Sequence, residues 1–213
     1  MLGIALVFAV PADAGLVGSV TYTDSFSLLP TNWSDLMTIP KWDPSLYPGS
    51  WLASVYVELD GHVQGSAAFE NEDTSPAIVT MDLSAILRMN RPDGSVLVLT
   101  IPVTSTSDNA TAYDGITDFA GTSGKTYPSL SADKSENDTH TSAGDLALFT
   151  GSGNISLPIL ANGASTGSGG GNLSLQFSTS ASTGAKVVYN YIPEPMTMSL
   201  LSIGGLALLR RKR

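Results

Sequence analysis

The chain has 213 residues, of which only 14% are charged, and it contains no cysteine. The lack of cysteine excludes disulfides, thiolate metal sites and cysteine nucleophiles, and two histidines, His62 and His140, are too few for a histidine-rich metal site. Residues 15–193 contain six bases and seventeen acids, a net charge of −11, which argues against nucleic acid as a partner because that partner demands clustered Lys and Arg.

The N-terminus has the pattern of a secretory signal peptide. A short apolar run, residues 2–10, is followed by a proline and then by Ala12-Asp13-Ala14, the small-x-small pattern of a signal peptidase site. No base precedes the run, so either the start codon is assigned too late or the signal is atypical. A first core strand is the alternative interpretation. We expect residues 1–14 to be a signal peptide, cleaved after Ala14 by signal peptidase.

Two interpretations are open for the aromatic residues of the next segment. Trp33, Trp42, Tyr47 and Trp51 lie within twenty residues of one another, with three prolines among them. If the tryptophans Trp33, Trp42 and Trp51 are exposed, they are candidates for stacking on sugar rings. The favoured interpretation is that they close one end of a hydrophobic core, because large aromatic side chains contribute much apolar area there.

Strand patterns dominate the body of the chain. In residues 51–60 the side chains of Ala53, Val55, Val57 and Leu59 share one face, in the period-two alternation of a half-buried strand. Eight further stretches have similar patterns: residues 18–24, 62–71, 77–87, 95–103, 146–151, 154–160, 172–180 and 185–192. Turn formers separate several of them, at residues 60–61, 91–94 and 165–171.

About nine strands with short turns predict an all-β fold, an antiparallel β-sandwich that spans residues 15–192. No amphipathic helix of convincing length occurs before the C-terminal tail. The polar stretch of residues 104–143 is predicted to be a structured excursion, with a flexible middle around residues 131–142.

The densest motif in this stretch runs from Asp114 to Gly124 and contains three glycines, Asp118 and Phe119. Asp114 and Asp118, together with Asp108 and backbone carbonyls, offer oxygen ligands of the kind that calcium prefers. Their spacing does not match the EF-hand pattern. We therefore favour a metal-free loop in which the aspartates close turns on backbone N–H groups and Phe119 is buried, with calcium as the alternative and no other cofactor expected.

Neither histidine lies in a catalytic motif, and no pair of carboxylates is singled out by its spacing. His62 falls in a strand pattern, and His140 falls in the most polar stretch. We therefore expect the protein not to be an enzyme, and we place a hydrolase behind the other functional classes.

The C-terminal segment has three parts. Pro193-Glu194-Pro195 comes first, residues 196–209 form an apolar run, and four bases follow: Arg210, Arg211, Lys212 and Arg213. Fourteen helical residues span roughly 21 Å at ~1.5 Å per residue, which is short for a membrane span. The bases would hold the segment on the cytoplasmic side, and their long side chains can extend the effective span. The prolines keep the preceding peptide extended, as a protease requires.

These three parts, in this order and paired with a signal peptide, resemble a PEP-CTERM sorting signal in residues 193–213. The resemblance implies a short transmembrane helix that anchors the protein transiently in the inner membrane. It also implies processing near the Pro-Glu-Pro sequence by an exosortase, a membrane protease-transpeptidase of Gram-negative-type bacteria that make exopolysaccharide. The protein would then reach the cell surface or the extracellular matrix, including that of a biofilm.

The body of the chain resembles the choice-of-anchor domains of exported bacterial proteins, type E in particular. The similarity rests on short motifs: residues 42–46, Leu52 with Ser54-Val55, Phe69-Glu70-Asn71, residues 114–124, 149–153, Asn172-Leu173 and residues 188–191. The resemblance implies a β-rich surface domain with no known activity. The functional expectation is thus an exported, non-enzymatic envelope or matrix protein, and the alternative is a carbohydrate-binding module for matrix exopolysaccharide.

Overall fold

The computed structural model describes residues 18–193, which form ten strands, one α-helix and a short 3-10 turn at Pro44–Leu46. In chain order the elements are β1 Gly18–Pro30, β2 Trp33–Pro40, β3 Ser50–Asn71, β4 Ala77–Asn90, β5 Val96–Thr100, β6 Val103–Ala110, β7 Gly124–His140, α1 Ala143–Phe149, β8 Asn154–Gly163, β9 Thr166–Ser168 and β10 Leu173–Pro193. The mostly β prediction is confirmed. Among these residues no helix has both the length and the apolar character needed to cross a membrane.

The strands form two antiparallel sheets. The first has the order β1-β10-β3-β7, and the second has the order β2-β8-β4-β5, with β6 and β9 also paired to β4. The largest hydrophobic cluster draws on both sheets, because it contains Val57 and Val187 from the first and Leu157 and Met89 from the second. The two sheets therefore pack face to face, in a sandwich-like arrangement.

The inward face of β3 agrees with its alternation. Val55, Val57 and Leu59 are each 0% exposed, as the pattern predicted. Ala53 was predicted on the same face, but a β-bulge intervenes, since Asn190 pairs with Ser54 and the next residue of β10 pairs with Leu52. Ala53 is the extra residue of this bulge, and Leu52 takes the buried position instead.

Two predicted strand boundaries are wrong because the strands are longer than the local patterns indicate. Asp60-Gly61 is not a turn, since it lies within β3, a strand of 22 residues. A Cβ atom at Gly61 would lie 2.6 Å from Leu87 Cδ1 and 2.7 Å from Thr100 Cγ2. The glycine there allows the second sheet to approach β3. Residues 173–180 and 185–192 likewise belong to one strand, β10, of 21 residues.

Residues 146–151 were predicted to be a strand, and this prediction is wrong. Helix α1 covers Ala143–Phe149, and its N-cap is Ser142, whose side chain accepts a hydrogen bond from Asp145 N at 3.1 Å and donates one to Asp145 Oδ2 at 2.8 Å. This reciprocal capping satisfies a free N–H group at the start of the helix. The Ser-x-x-Asp pattern outweighs the short apolar run in deciding the local structure.

The polar stretch also differs from its prediction. Residues 131–142, predicted to form a flexible middle, mostly belong to the C-terminal half of β7, which pairs with β3 from Val55↔His140 to Glu70↔Gly124. Strand β7 lies at one edge of the first sheet, and most of its residues are exposed, with a few partly buried between them. Its polar sequence is that of an edge strand rather than of a loop.

The predicted turn at residues 165–171 is wrong in part, because Thr166–Ser168 form strand β9 and pair with β4. Residues 91–94 form the predicted tight turn, closed by a hydrogen bond from Gly94 N to Arg91 O at 2.9 Å, and Gly94 has the positive φ of 89° that this turn requires. The sequence patterns missed β2 entirely. They also joined β5 to the start of β6, although residues 101–102 separate the two strands.

Candidate functional site

A loop of residues 111–123, called the 111–123 loop below, joins β6 to β7 and lies over the end of β3. A hydrogen bond from Thr111 N to Thr122 O at 2.9 Å closes its base. Asn71 N donates to Ser123 O at 2.9 Å, and Tyr113 N donates to Asp73 O at 2.8 Å. Main-chain hydrogen bonds alone therefore attach the loop to the end of β3, and side chains add to this attachment.

Glu70 is the charged residue at the centre of this attachment, and it is 0% exposed. Its Oε2 accepts a hydrogen bond from Phe119 N at 2.8 Å, while its Oε1 is buried and has no hydrogen-bond partner within residues 18–193. Burial of a carboxylate is costly unless it is hydrogen-bonded. The bond to Phe119 therefore ties the 111–123 loop to a side chain with no access to water.

The next two residues of the chain extend the attachment. Asn71 Nδ2 donates to Thr111 O at 2.7 Å and to Ser75 O at 2.9 Å. Glu72 Oε1 accepts from Thr117 Oγ1 at 3.0 Å and from Ser174 Oγ at 2.8 Å. Three consecutive side chains thus connect β3 to the 111–123 loop and to the start of β10. Phe69-Glu70-Asn71 is one of the short motifs of the choice-of-anchor resemblance, and nothing in the sequence indicates this role.

Gly124 makes room for the buried carboxylate. A Cβ atom built there would collide with the Glu70 carboxylate and lie 2.8 Å from Ala120 N. We expect Gly124→Ala to destabilise the protein by about 1–3 kcal/mol, because the Glu70 side chain or the loop must shift. Gly144→Ala is the matched control, since its Cβ would meet no atom nearer than 3.9 Å. Urea denaturation of both variants checks this, and equal midpoints would contradict it.

The two aspartates of the 111–123 loop close turns, as the favoured interpretation predicted. Asp114 Oδ1 accepts from Ile116 N at 3.0 Å, and Asp118 Oδ1 accepts from Ala120 N at 3.0 Å. Gly115 and Gly121 have positive φ values of 101° and 73°. The prediction that Phe119 is buried is wrong in degree, because this residue is only half-buried.

Asp108 lies outside these turns, in β6. Its Oδ2 accepts a hydrogen bond from Lys125 Nζ at 2.6 Å and another from the hydroxyl of Tyr127. These two hydrogen bonds, that from Lys125 foremost, hold the pKa of Asp108 below its usual value. Within residues 18–193 no group of three or more His, Asp or Glu side chains is arranged to hold a metal ion, so Asp108, Asp114 and Asp118 are not brought together as a calcium site.

A pocket of about 720 Å³ lies between the 111–123 loop, the end of β6 and the start of β7. Its lining includes Asp108, Asn109, Asp118, Phe119 and Lys125. The glycine-rich motif and the end of β6 thus meet at one concave surface. Asp108 and Asp118 belong to the residues of the calcium alternative, but no pattern in the sequence indicates the shared pocket.

The three tryptophans differ in how deeply they are buried. Trp42 is 3% exposed, and its ring stacks on that of Tyr47 with the centroids 5.7 Å apart. Trp33 is half-buried, stacks on Phe26 and donates from Nε1 to Ala181 O at 3.1 Å. Trp51 is 48% exposed. Trp42 and Trp33 therefore pack into the core, as the favoured interpretation predicts. Of the three tryptophans, Trp51 alone is exposed enough to stack on a sugar.

The histidines take part in carboxylate pairs. His62 Nδ1 lies 2.7 Å from Asp133 Oδ1 on the surface, and His140 Nδ1 lies 3.7 Å from Asp145 Oδ2 in a buried position. Burial raises the pKa of Asp145, but hydrogen bonds from Ser142 and Arg91 and the charge of Arg91 outweigh it and lower that pKa overall. This cluster joins β7, α1 and the 91–94 turn.

Most residues of the predicted sorting and signal segments lie outside the described part of the chain. These are Ala12 and Ala14 of the cleavage site, Glu194 and Pro195, and the bases Arg210, Arg211, Lys212 and Arg213. Pro193 is described: it is the last residue of β10, it is exposed, and it pairs with Ser50 of β3.

No protein-family model matches the chain, and no curated protein does. Among solved structures, the chain is similar to infectious bursal disease virus, Gx strain, at 14% identity over 99% of this chain and 54% of that one, with a TM-score of 0.20. It is also similar to the tailspike protein of Acinetobacter baumannii phage AM24, at 14% identity over 74% of this chain and 26% of that one, with a TM-score of 0.18. The chain covers about half of the length of this viral chain and less than half of two further chains from the same virus. Similarity at this level carries no argument about function.

Proposed function

We propose that this chain is an exported, non-enzymatic protein of the cell envelope or extracellular matrix, sorted by residues 193–213. The observation that carries the proposal is the order of three chemically distinct parts: Pro193-Glu194-Pro195, an apolar run, and four consecutive bases. A short apolar helix flanked by bases favours an orientation with the bases in the cytoplasm. The partners are then signal peptidase and an exosortase-type protease, with the inner membrane of a Gram-negative-type bacterium as a transient anchor.

The position of the Pro-Glu-Pro sequence after the described strands is compatible with this proposal. Pro193 is the last described residue of β10 and pairs with Ser50 of β3. A cut after this point would leave every described strand intact. The prolines also disfavour helix in the residues before them, which keeps this peptide extended, as protease recognition requires.

The polar clusters support a structural body rather than a reaction centre. Glu70, Asn71 and Glu72 hold the 111–123 loop, and Arg91 with Asp145 joins α1 to a neighbouring turn through a contact of 2.7 Å. The alternative of a carbohydrate-binding module that uses tryptophans retains one of its three candidates, Trp51.

Intact mass measurement tests the sorting proposal. Protein recovered from the surface of wild-type cells is expected to lack residues 196–213 because it has been cut near Pro193-Glu194-Pro195. Replacement of these three residues by alanine is expected to retain the protein in the inner membrane. Replacement of the adjacent Thr197-Met198-Ser199 by alanine is the matched control and is expected to leave processing unchanged. Surface protein of full length from wild-type cells would contradict the proposal.

A further inference from the structure

The pocket beside the 111–123 loop combines polar side chains with two aromatic residues, Phe69, which is 1% exposed, and Phe119, which is half-buried. Its volume of about 720 Å³ falls within the range of small-molecule sites, roughly 300–1,000 Å³. Asp108, Asn109, Thr126 and Lys125 line it from β6 and β7, and Asp118 and Phe119 line it from the loop. It is thus bounded partly by paired strands and partly by a loop that buried side chains hold in place.

The charges of the pocket disfavour an anionic ligand. Lys125 is the only base among the lining residues, and its Nζ lies 2.6 Å from Asp108 Oδ2. The hydrogen bond to Asp108 raises the pKa of Lys125, so the lysine stays protonated and paired. A phosphate or carboxylate entering the pocket would have to displace Asp108 from this pair and would also face Asp118.

Two polar side chains of the lining remain open to a ligand. The amide of Asn109 makes no side-chain hydrogen bond within residues 18–193, and Asp118 uses only Oδ1, for Ala120 N. Asn109 can both donate and accept, and Asp118 Oδ2 can accept. Neutral hydroxyl groups can pair with both, because a hydroxyl also donates and accepts.

Of the two aromatic residues that line the pocket, Phe119 is the more accessible. Its backbone conformation is rare for a bulky residue. Its φ is 58°, in the left-handed region. Both of its main-chain polar groups are held: its N–H donates to the buried Glu70, and its carbonyl accepts from Thr126 Oγ1 at 2.9 Å. Backbone strain of this kind costs about 1–3 kcal/mol, persists only where the surroundings impose it, and clusters at ligand-binding sites.

We propose that this pocket binds a neutral saccharide, with one sugar face packed on Phe119 and its hydroxyls hydrogen-bonded to Asn109 and Asp118. A sugar ring presents an apolar C–H face and a rim of neutral hydroxyls, which matches the aromatic residue and the two open polar side chains. The site is distinct from Trp51, and it does not depend on how the protein is sorted.

The test uses the full-length protein on an array of neutral oligosaccharides built from glucose, galactose, mannose and N-acetylglucosamine, with uronate-containing oligosaccharides on the same array. Binding of a neutral oligosaccharide is expected, and its Kd is then measured by titration. Asn109→Ala and Phe119→Gly are each expected to raise that Kd about tenfold or more, the equivalent of ~1.4 kcal/mol.

Phe119→Gly separates a ligand contact from a folding defect. Glycine adopts a positive φ without steric cost, which offsets part of the burial lost with the half-buried ring, so this variant is expected to keep a cooperative melt while it loses binding. Asn137→Ala is the matched control for Asn109→Ala, because Asn137 is an exposed residue of β7 outside the pocket lining. Its Kd is expected to equal that of the wild type.

Three results would overturn the proposal. The first is no binding to any neutral oligosaccharide at millimolar protein or sugar. The second is preferential binding of the uronate-containing set. The third is binding that Trp51→Ala abolishes while Asn109→Ala and Phe119→Gly leave it unchanged, because the binding site would then include Trp51 and not this pocket.

Discussion

Val57→Asp is expected to unfold the protein. Val57 is 0% exposed and belongs to the cluster that joins the two sheets. Its cross-strand partner Val187 is equally buried, so the new carboxylate would meet no hydrogen-bond donor on its own face. An unpaired buried charge costs more than about 4 kcal/mol, a large share of the ~5–15 kcal/mol that stabilises a typical domain.

The control for this variant is Val188→Asp. It makes the same substitution on the neighbouring strand, but Val188 is on the opposite, partly exposed face of the first sheet. A loss of about 1 kcal/mol or less is expected there, the span of strand propensities. Far-ultraviolet circular dichroism and urea denaturation measure both. A cooperative transition for Val57→Asp as stable as that of Val188→Asp would contradict the packing of the two sheets.

Trp42→Ala is expected to cost about 3–5 kcal/mol, since it opens a large cavity in the core. The ring of Trp42 packs against Tyr47 and lies 6.2 Å from that of Tyr191, and these contacts close one end of the sandwich. Its Nε1 is buried with no hydrogen-bond partner within residues 18–193. Trp42→Phe keeps an aromatic ring and removes this unpaired donor, so it is expected to cost much less than alanine.

Trp51→Ala is the comparison for the exposed surface. Because this side chain is 48% exposed, its removal is expected to change stability by about 1 kcal/mol or less. Thermal melts of the three variants give the order of stability directly. If Trp51→Ala were as destabilising as Trp42→Ala, the aromatic cluster would extend further across the surface than the structure shows.

Tyr189 is a buried residue at the same end of the core, and its polar group is hydrogen-bonded. Its hydroxyl donates to Pro40 O at 3.0 Å, and its ring packs edge-on against Phe149 and Tyr22. Burial foremost, with a smaller contribution from Tyr22, raises the pKa of Tyr189. The phenol therefore stays neutral at any ordinary pH, and this hydrogen bond between β10 and β2 does not depend on pH.

The buried faces of several strands can be predicted from the alternation of apolar residues. Alternation in residues 51–60 identified Val55, Val57 and Leu59 as core residues, because successive side chains of a strand point to opposite sides. The sequence also indicates the 91–94 turn, whose glycine adopts a positive φ. The Ser-x-x-Asp cap of α1 is present in the sequence too, but the apolar run after it has the pattern of a strand.

The ends of the strands and the contacts between distant residues depend on packing and are not visible in the sequence. Gly61 has the local signature of a turn, yet Leu87 and Thr100 of the second sheet occupy the space where its side chain would lie. Glu70 and Phe119 are 49 residues apart, and neither has a local pattern that indicates their hydrogen bond. A sequence pattern records which face of an element is apolar, but contacts between distant segments depend on how the sheets and loops pack, and the pocket beside Phe119 is made of such contacts.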